Sequence, residues 1–281
     1  MALPKIIAHR GANDTEPEHS LAAYIRAIKF GVDAVECDVR LTNDGTLVCV
    51  HDRRIDRTSS GRGSVSGQLL ADLVTNDFSG SLDNWMDFED PRPDESRTRL
   101  ITLETLLTTI LDYSQTIEFA IETKHPVRYG KYVERELFDV LKRYGLIKPQ
   151  NGNEFPRARV MSFSQMAVQR FKKLSPLTQV VYLAEHLPRR FRNGSLPAGV
   201  GISGIDVHYL KKDPDYVARV HSLGHKVHVW TVDEMSDVDF CLRVGVDAII
   251  TNHPGNVMAR VSKWSEQVSS QIPSGTWESA G

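Results

Sequence analysis

Val35-Glu36-Cys37-Asp38-Val39-Arg40-Leu41-Thr42-Asn43-Asp44-Gly45-Thr46-Leu47-Val48-Cys49-Val50-His51 contains two β-rich apolar runs around an Asp-Gly turn signal. Its first run carries carboxylates at Glu36 and Asp38, two residues apart and therefore on one face of the strand. With Asp44-Gly45 as the central turn residues, Asn43 faces Thr46 and Asp38 lies opposite His51. Cross-strand partners of that kind hold their Cβ atoms ~5 Å apart. Centring the turn on Asn43-Asp44 instead opposes Asp38 to Cys49; the first register is preferred because glycine adopts positive φ most cheaply.

Outward from this hairpin, short apolar runs alternate with amphipathic stretches. Strands are expected at 5–9, 34–39, 117–122, 159–163, 179–183, 202–207, 226–232 and 248–251. Helices are expected at 20–30, 103–112, 129–143, 165–174, 214–222, 234–244 and 255–268, with the link after Leu183 the least regular. Eight strands alternating with helices imply a parallel sheet closed into a (β/α)8 TIM barrel, an α/β fold. Residues 1–264 are expected to form this single domain, and 265–281 a poorly ordered C-terminal tail. A polar segment at about 52–100, too long for a plain βα loop, reads as a small insertion after strand 2, with Trp85, Met86 and Phe88 embedded in it. Trp85 and Phe88 are expected to anchor that insertion or to close over a substrate.

Composition narrows the function. Across 281 residues, Lys plus Arg number 34 against 36 for Asp plus Glu, which lacks the basic excess of a nucleic-acid binder. The sequence has no apolar run of the ~18 residues a membrane span needs, so no stable membrane insertion is expected. No export signal is recognised at the start, and Cys37, Cys49 and Cys241 form no CxxC pair, so a reducing, cytoplasmic setting is expected. Neither does the spacing of Cys37, Cys49 and His51 match a zinc pattern.

The informative feature is polarity at the ends of barrel strands. His9 and Arg10 end the first, Glu36 and Asp38 lie in the second, Glu122 and Lys124 end the next, and Trp230 and Thr251-Asn252-His253 end the last two. Such positions converge on one barrel mouth, where these folds perform chemistry. Glu36, Asp38 and Glu122 offer three hard oxygen donors, suited to Ca²⁺ or Mg²⁺ more than Zn²⁺. With a divalent ion, Arg10 and Lys124 added, the mouth carries one net positive charge, a match for a singly negative phosphodiester. His9 and His51 remain to move protons, and a strongly basic alkoxide leaving group requires an acid.

His9-Arg10-Gly11, Pro17-Glu18-His19-Ser20-Leu21, Glu36-Cys37-Asp38-Val39, His51-Asp52, Glu122-Thr123-Lys124, Trp230-Thr231-Val232 and Thr251-Asn252-His253-Pro254 together resemble the glycerophosphodiester phosphodiesterase signature. The resemblance spans roughly residues 5–260. It implies a TIM barrel that hydrolyses small glycerophosphodiesters to sn-glycerol 3-phosphate and an alcohol. It also implies His9 and His51 as the acid/base pair, and Glu36, Asp38 and Glu122 as ligands of Ca²⁺ or Mg²⁺. Arg10 and Lys124 would hold the phosphate, with Trp230 against the glycerol. The family usually reads Glu-Asn-Thr where Glu18-His19-Ser20 stands, and often Asp at Asn252. His19 is accordingly expected to cap a helix or face solvent, and Glu18 to cap it or hydrogen-bond within the site.

His208, His221, His225 and His228 are expected at the surface or on strand flanks, Phe163 in the pocket wall or core, and Arg189-Arg190-Phe191-Arg192 on a solvated face. Two rivals remain: a phospholipase C- or D-like barrel acting on intact lipid, and a non-catalytic phosphodiester sensor. A metal-dependent amidohydrolase lacks support because its strand-one His-x-His is missing.

Overall fold

The computed structural model describes residues 3–80, 94–150 and 152–270. Its elements, in chain order, are β1 (Lys5–Ala8), α1 (Leu21–Lys29), β2 (Ala34–Leu41), β3 (Leu47–Cys49), α2 (Leu70–Leu73), α3 (Glu95–Thr98) and α4 (Leu103–Tyr113). They continue with β4 (Glu118–Thr123), α5 (Tyr132–Arg143), β5 (Ala158–Ser162), α6 (Gln165–Leu174), β6 (Gln179–Ala184), β7 (Ile202–Asp206) and α7 (Val207–Lys212). The last are α8 (Tyr216–Ser222), β8 (Lys226–Trp230), α9 (Met235–Val244), β9 (Ala248–Thr251) and α10 (Pro254–Ser270).

The strands run β1-β9-β8-β7-β6-β5-β4-β2, and β1 pairs back onto β2, closing an eight-stranded parallel barrel. The antiparallel β3 hangs from the outer end of β2. The eight-strand TIM barrel expected from the alternation is therefore the fold. After β6 the chain makes only a short 3-10 turn at Arg189–Phe191, so the link that looked irregular in sequence carries no α-helix before β7. Arg189 and Arg190 are exposed there while Phe191 is buried.

Strand pleating divides the core in two. Outward-facing residues such as Val35, Phe119, Val160 and Val229 pack under the helices with Leu107, Leu141 and Phe171. Inward-facing Ile7, Ala34, Ala120, Met161, Val181, Leu183, Ile202, Ala248 and Ile250 form a separate inner cluster. That apolar layer seals the middle of the barrel and leaves polar side chains at both ends.

The hairpin register differs from the expectation by one residue. Val39 opposes Cys49 and Leu41 opposes Leu47, so Asn43-Asp44-Gly45 is a three-residue loop with Gly45 at φ +85°. Thr42 Oγ1 bonds to Asp44 Oδ1 at 2.5 Å and accepts the Thr46 N–H at 2.9 Å, stabilising the longer loop. Asp38 then lies beside Val50, whose N–H donates to the Asp38 carbonyl at 3.1 Å. His51 reaches the site only because the chain leaves the ladder after Cys49.

Between His51 and α4, Val48, Val50, Ile55, Val65, Leu73, Phe78 and Leu100 form their own small core. Trp85, Met86 and Phe88 lie outside the described residues. α10 continues past Trp264 to Ser270. No helix of the described residues is long and apolar enough to cross a membrane. Cys37, Cys49 and Cys241 are free and buried.

Candidate active site

The β2–β4 register places Glu36 beside Ala120 and Asp38 beside Glu122. Parallel neighbours with the same pleat phase point the same way, so all three carboxylates enter the barrel from two adjacent strands. One carboxylate oxygen from each lies within 4.8 Å of the others. All three side chains are buried.

Asp38 is the most heavily engaged. Its Oδ2 lies 3.0 Å from Arg10 Nε and 3.0 Å from His19 Nε2, and its Oδ1 2.9 Å from Lys124 Nζ. Burial alone would raise its pKa; Lys124, His19 and Arg10 instead hold it well below the usual carboxylate range. Lys124 also reaches Glu122 Oε1 at 2.8 Å. Glu36 Oε2 accepts the Arg10 backbone N–H at 2.9 Å, while its buried Oε1 has no hydrogen-bond partner among the described residues. Burial, followed by the charge of Asp38, pushes Glu36 well above its ordinary value and Glu122 up to about 8. Two of the three carboxyls are thus costly to ionise beside Asp38 with only Arg10 and Lys124 for compensation. An orphaned buried oxygen among three hard donors fits a hard divalent cation, which would favour the ionised forms.

Arg10 turns through φ +57° and is followed by Gly11 at φ +89°. A Cβ at Gly11 would lie 2.6 Å from Ala23 Cβ, so only glycine lets this loop cross α1. The turn presents His9 and Arg10 to the mouth. His9 Nδ1 lies 2.7 Å from Asn252 Oδ1. The Asn252 amide orientation is fixed, because Nδ2 donates to Asp233 Oδ2 at 2.7 Å and Oδ1 also accepts from Asn13 Nδ2 at 2.8 Å. His9 must therefore carry its proton on Nδ1, leaving the Nε2 lone pair, 4.0 Å from Glu36 Oε2, on the site side. Burial and then the Arg10 charge lower its pKa to about 4.

His51 has a different support. Its Nδ1 lies 2.8 Å from Asp52 Oδ1, and its carbonyl accepts both Nε and an NH2 of Arg40, at 2.9 and 2.7 Å. Arg57 donates to Asp52 at 2.6 Å and to both Glu18 oxygens at 2.8 and 2.9 Å. Burial would raise Glu18, but the Arg57 hydrogen bonds and neighbouring charges bring it to about 2. Glu18 is thus a charged brace between Arg10 and the inserted segment rather than a helix cap.

These side chains open onto a cleft of about 200 Å³ lined by His9, Arg10, Glu36, His51, Glu122, Lys124 and Trp230. Of the residues expected to bind metal, hold the substrate or move protons, all line it except Asp38, whose carboxylate is covered by Arg10 and Lys124. Met161, Phe163, Leu183 and Trp230 make the apolar wall, with Phe163 edge-on to Trp230 at 5.3 Å and exposed Glu185 at its border. Phe163 therefore belongs to the pocket.

The expectation for His19 is overturned. It is buried at φ +61°, its Nδ1 lies 2.8 Å from Tyr24 Oη, and its Nε2 holds Asp38. Tyr24 Oη donates onward to the Glu36 carbonyl at 3.1 Å. The cap of α1 is Ser20, whose Oγ accepts the Ala23 N–H at 3.1 Å. Ser20 was the available signal: a serine that caps the helix unaided leaves its neighbouring histidine for another task. Asn13, Arg57 and Asp233 were also missed, and Asp52 was seen only as part of the His51-Asp52 motif, because each acts through another residue. Asn252, read as a lost charge, is instead the acceptor that orients His9.

A parallel barrel whose C-terminal mouth gathers three carboxylates, two imidazoles and two cations belongs to the class of barrels built for phosphate-ester chemistry. The sequence profile described as the Glycerophosphoryl diester phosphodiesterase family matches residues 9–256, and the chain belongs to that family. It is 45% identical over 260 residues to the probable glycerophosphodiester phosphodiesterase 1 of Mycobacterium tuberculosis, covering 91% of this chain and 92% of that one. A phosphodiesterase from Oleispira antarctica, solved in complex with its product sn-glycerol-3-phosphate, matches with TM-score 0.77 and 25% identity over 92% of this chain and 97% of that one. A Silicibacter pomeroyi structure shares the fold with TM-score 0.79, at 23% identity, over 94% of this chain and 95% of that one.

Proposed function

We propose that this protein hydrolyses glycerophosphodiesters to sn-glycerol 3-phosphate and an alcohol with a divalent metal, Ca²⁺ or Mg²⁺, and a His9/His51 proton-transfer pair. The observation that carries the reading is the meeting of Glu36, Asp38 and Glu122 within 4.8 Å, in the mouth that holds both imidazoles. Glu36, Asp38 and Glu122 would hold the ion, which supplies Lewis-acid polarisation of a phosphoryl oxygen.

The protein's own groups divide the remaining work. Arg10 and Lys124 bring positive charge to the phosphate, and Trp230 with Phe163 provides an apolar wall for the glycerol carbons. His9 is the base: held neutral, with Nδ1 committed to Asn252, it offers Nε2 to the attacking hydroxyl. His51 is the acid: burial lowers its pKa, the Asp52 carboxylate at Nδ1 works against that shift, and its Nε2 passes a proton to the departing alkoxide. The two supports differ in the sense those roles require, a neutral amide behind the base and a carboxylate behind the acid.

The test is a panel of glycerophosphodiesters assayed for glycerol 3-phosphate release, with and without EDTA, on wild type and His51→Ala. Chelation abolishes turnover, restored by Ca²⁺ or Mg²⁺, and His51→Ala lowers kcat by about 10²–10⁴. Turnover that survives chelation refutes the metal, and an unaffected His51→Ala enzyme refutes the acid assignment.

A further inference from the structure

The inward-facing residue four positions before the rim residue is a cation on three strands: Lys5 before His9, Arg159 before Phe163 and Lys226 before Trp230. At ~3.3 Å per residue these cations sit about 13 Å below the candidate active site, at the barrel's opposite mouth. The inner apolar layer separates the two ends.

This N-terminal mouth opens into a cavity of about 400 Å³ lined by Lys5, Arg159, Gln179, Lys226 and His228 among others, with Asp247 and His221 at its edge. Nearby carboxylates are already engaged. Glu118 pairs with both Lys5 and Arg159, Asp247 takes His221 Nε2 and the Val227 N–H at 2.8 Å each, and Asp33 accepts the Ile6 N–H at 2.8 Å. Lys226 has no ion pair among the described residues. Arg159 is 4% exposed, a cation placed in the barrel interior.

A second, independent feature points to a ligand. His228, read from sequence as a surface or flank residue, is only 3% exposed, and its Nδ1 is buried without a hydrogen-bond partner among the described residues. It forms part of the cavity wall. A buried polar atom without a partner is costly, and an oxyanion entering beside Lys226 and Arg159 would supply the missing acceptor.

We propose that the N-terminal mouth of the barrel binds a small phosphate-class oxyanion, with Arg159, Lys226 and His228 as its donors. The site is independent of the divalent metal and lies across the apolar layer from the hydrolytic mouth. Free phosphate and a phosphomonoester share the recognised group, and the experiment separates them.

The full chain, stripped of divalent metal and labelled at its histidine rings, is titrated by NMR with inorganic phosphate in one arm and sn-glycerol 3-phosphate in the other. The His228 ring resonances shift saturably in at least one arm, and the responding arm identifies the ligand. Lys226→Gln weakens that response about tenfold or more, the scale of a lost charged hydrogen bond. Glu118→Gln, which frees Lys5 and Arg159 from their shared acid, tightens it. With metal restored, Lys226→Gln leaves kcat and KM for the diester unchanged. No saturable His228 shift in either arm overturns the proposal, as does a shift that Lys226→Gln leaves intact. Shifts confined to His9 and His51 also overturn it, because they place the anion at the other mouth.

Discussion

The two ends of the barrel are made by the same strands and gather different charged groups. The C-terminal mouth concentrates Glu36, Asp38 and Glu122 against Arg10 and Lys124, whereas the N-terminal mouth gathers Lys5, Arg159 and Lys226 around Glu118. Pleating makes this possible: residues two apart on one strand share the interior, so a short strand feeds both polar ends and the apolar layer between. The ends also differ in support. At the C-terminal mouth each key side chain is braced by another, His19 on Asp38, Asn252 on His9 and Asp52 on His51. At the N-terminal mouth His228 and Lys226 have no such braces among the described residues. Bracing of the first kind suits groups that must hold a fixed geometry through a reaction.

Three perturbations sharpen the contrast. The largest effect is expected from Glu36→Gln, which removes a charge from the cation site and nothing from the opposite mouth. At a metal concentration about 100 times Kd, wild-type protein gains about 2.7 kcal/mol of stability from the ion, read as a rise in Tm. The variant loses most of that rise. A Tm response equal to wild type would remove Glu36 from the site.

Next, His19→Ala deletes the brace on Asp38 while leaving all three carboxylates. Loss of such a support weakens metal binding by about 10–100-fold. Calorimetric titration of the metal measures this directly, and saturating metal restores most of kcat, whereas His51→Ala is not rescued. Unchanged metal affinity would reduce His19 to a packing residue.

The smallest effect concerns His228. Burial, and then Arg159, hold its pKa well below 6.5, so it is neutral in the folded chain. As pH falls below 6.5 the unfolded state protonates first, and stability drops by up to about 1.4 kcal/mol per pH unit from this one group. His228→Gln flattens the acid limb of a urea-unfolding series, and phosphate protects wild type more than the variant. An acid limb identical in both proteins breaks the contrast at its weaker end.

Much of this was legible in the chain itself. The alternation of apolar runs with amphipathic stretches gave the barrel, since period and order survive without tertiary knowledge. Glu36, Asp38 and Glu122 stood out because charge on an apolar strand needs a reason. His51 was located correctly for an imperfect reason: a two-residue turn was expected, but Thr42 closes a three-residue loop with Gly45 at positive φ. His19 was misread because its loop looks like an ordinary helix entrance until φ +61° turns the ring inward. Asn252 looked like a missing charge because its role is defined by partners more than two hundred residues away, Asn13 and His9.

Sequence by itself determined which residue types were available and on which strand face each falls, because a period of two and a covalent order are properties of the chain. Tertiary structure alone decided which of them meet. Barrel closure sets β1 beside β2 and β9, bringing His9 between Glu36 and Asn252, and a histidine's proton position follows from such neighbours rather than from its own sequence.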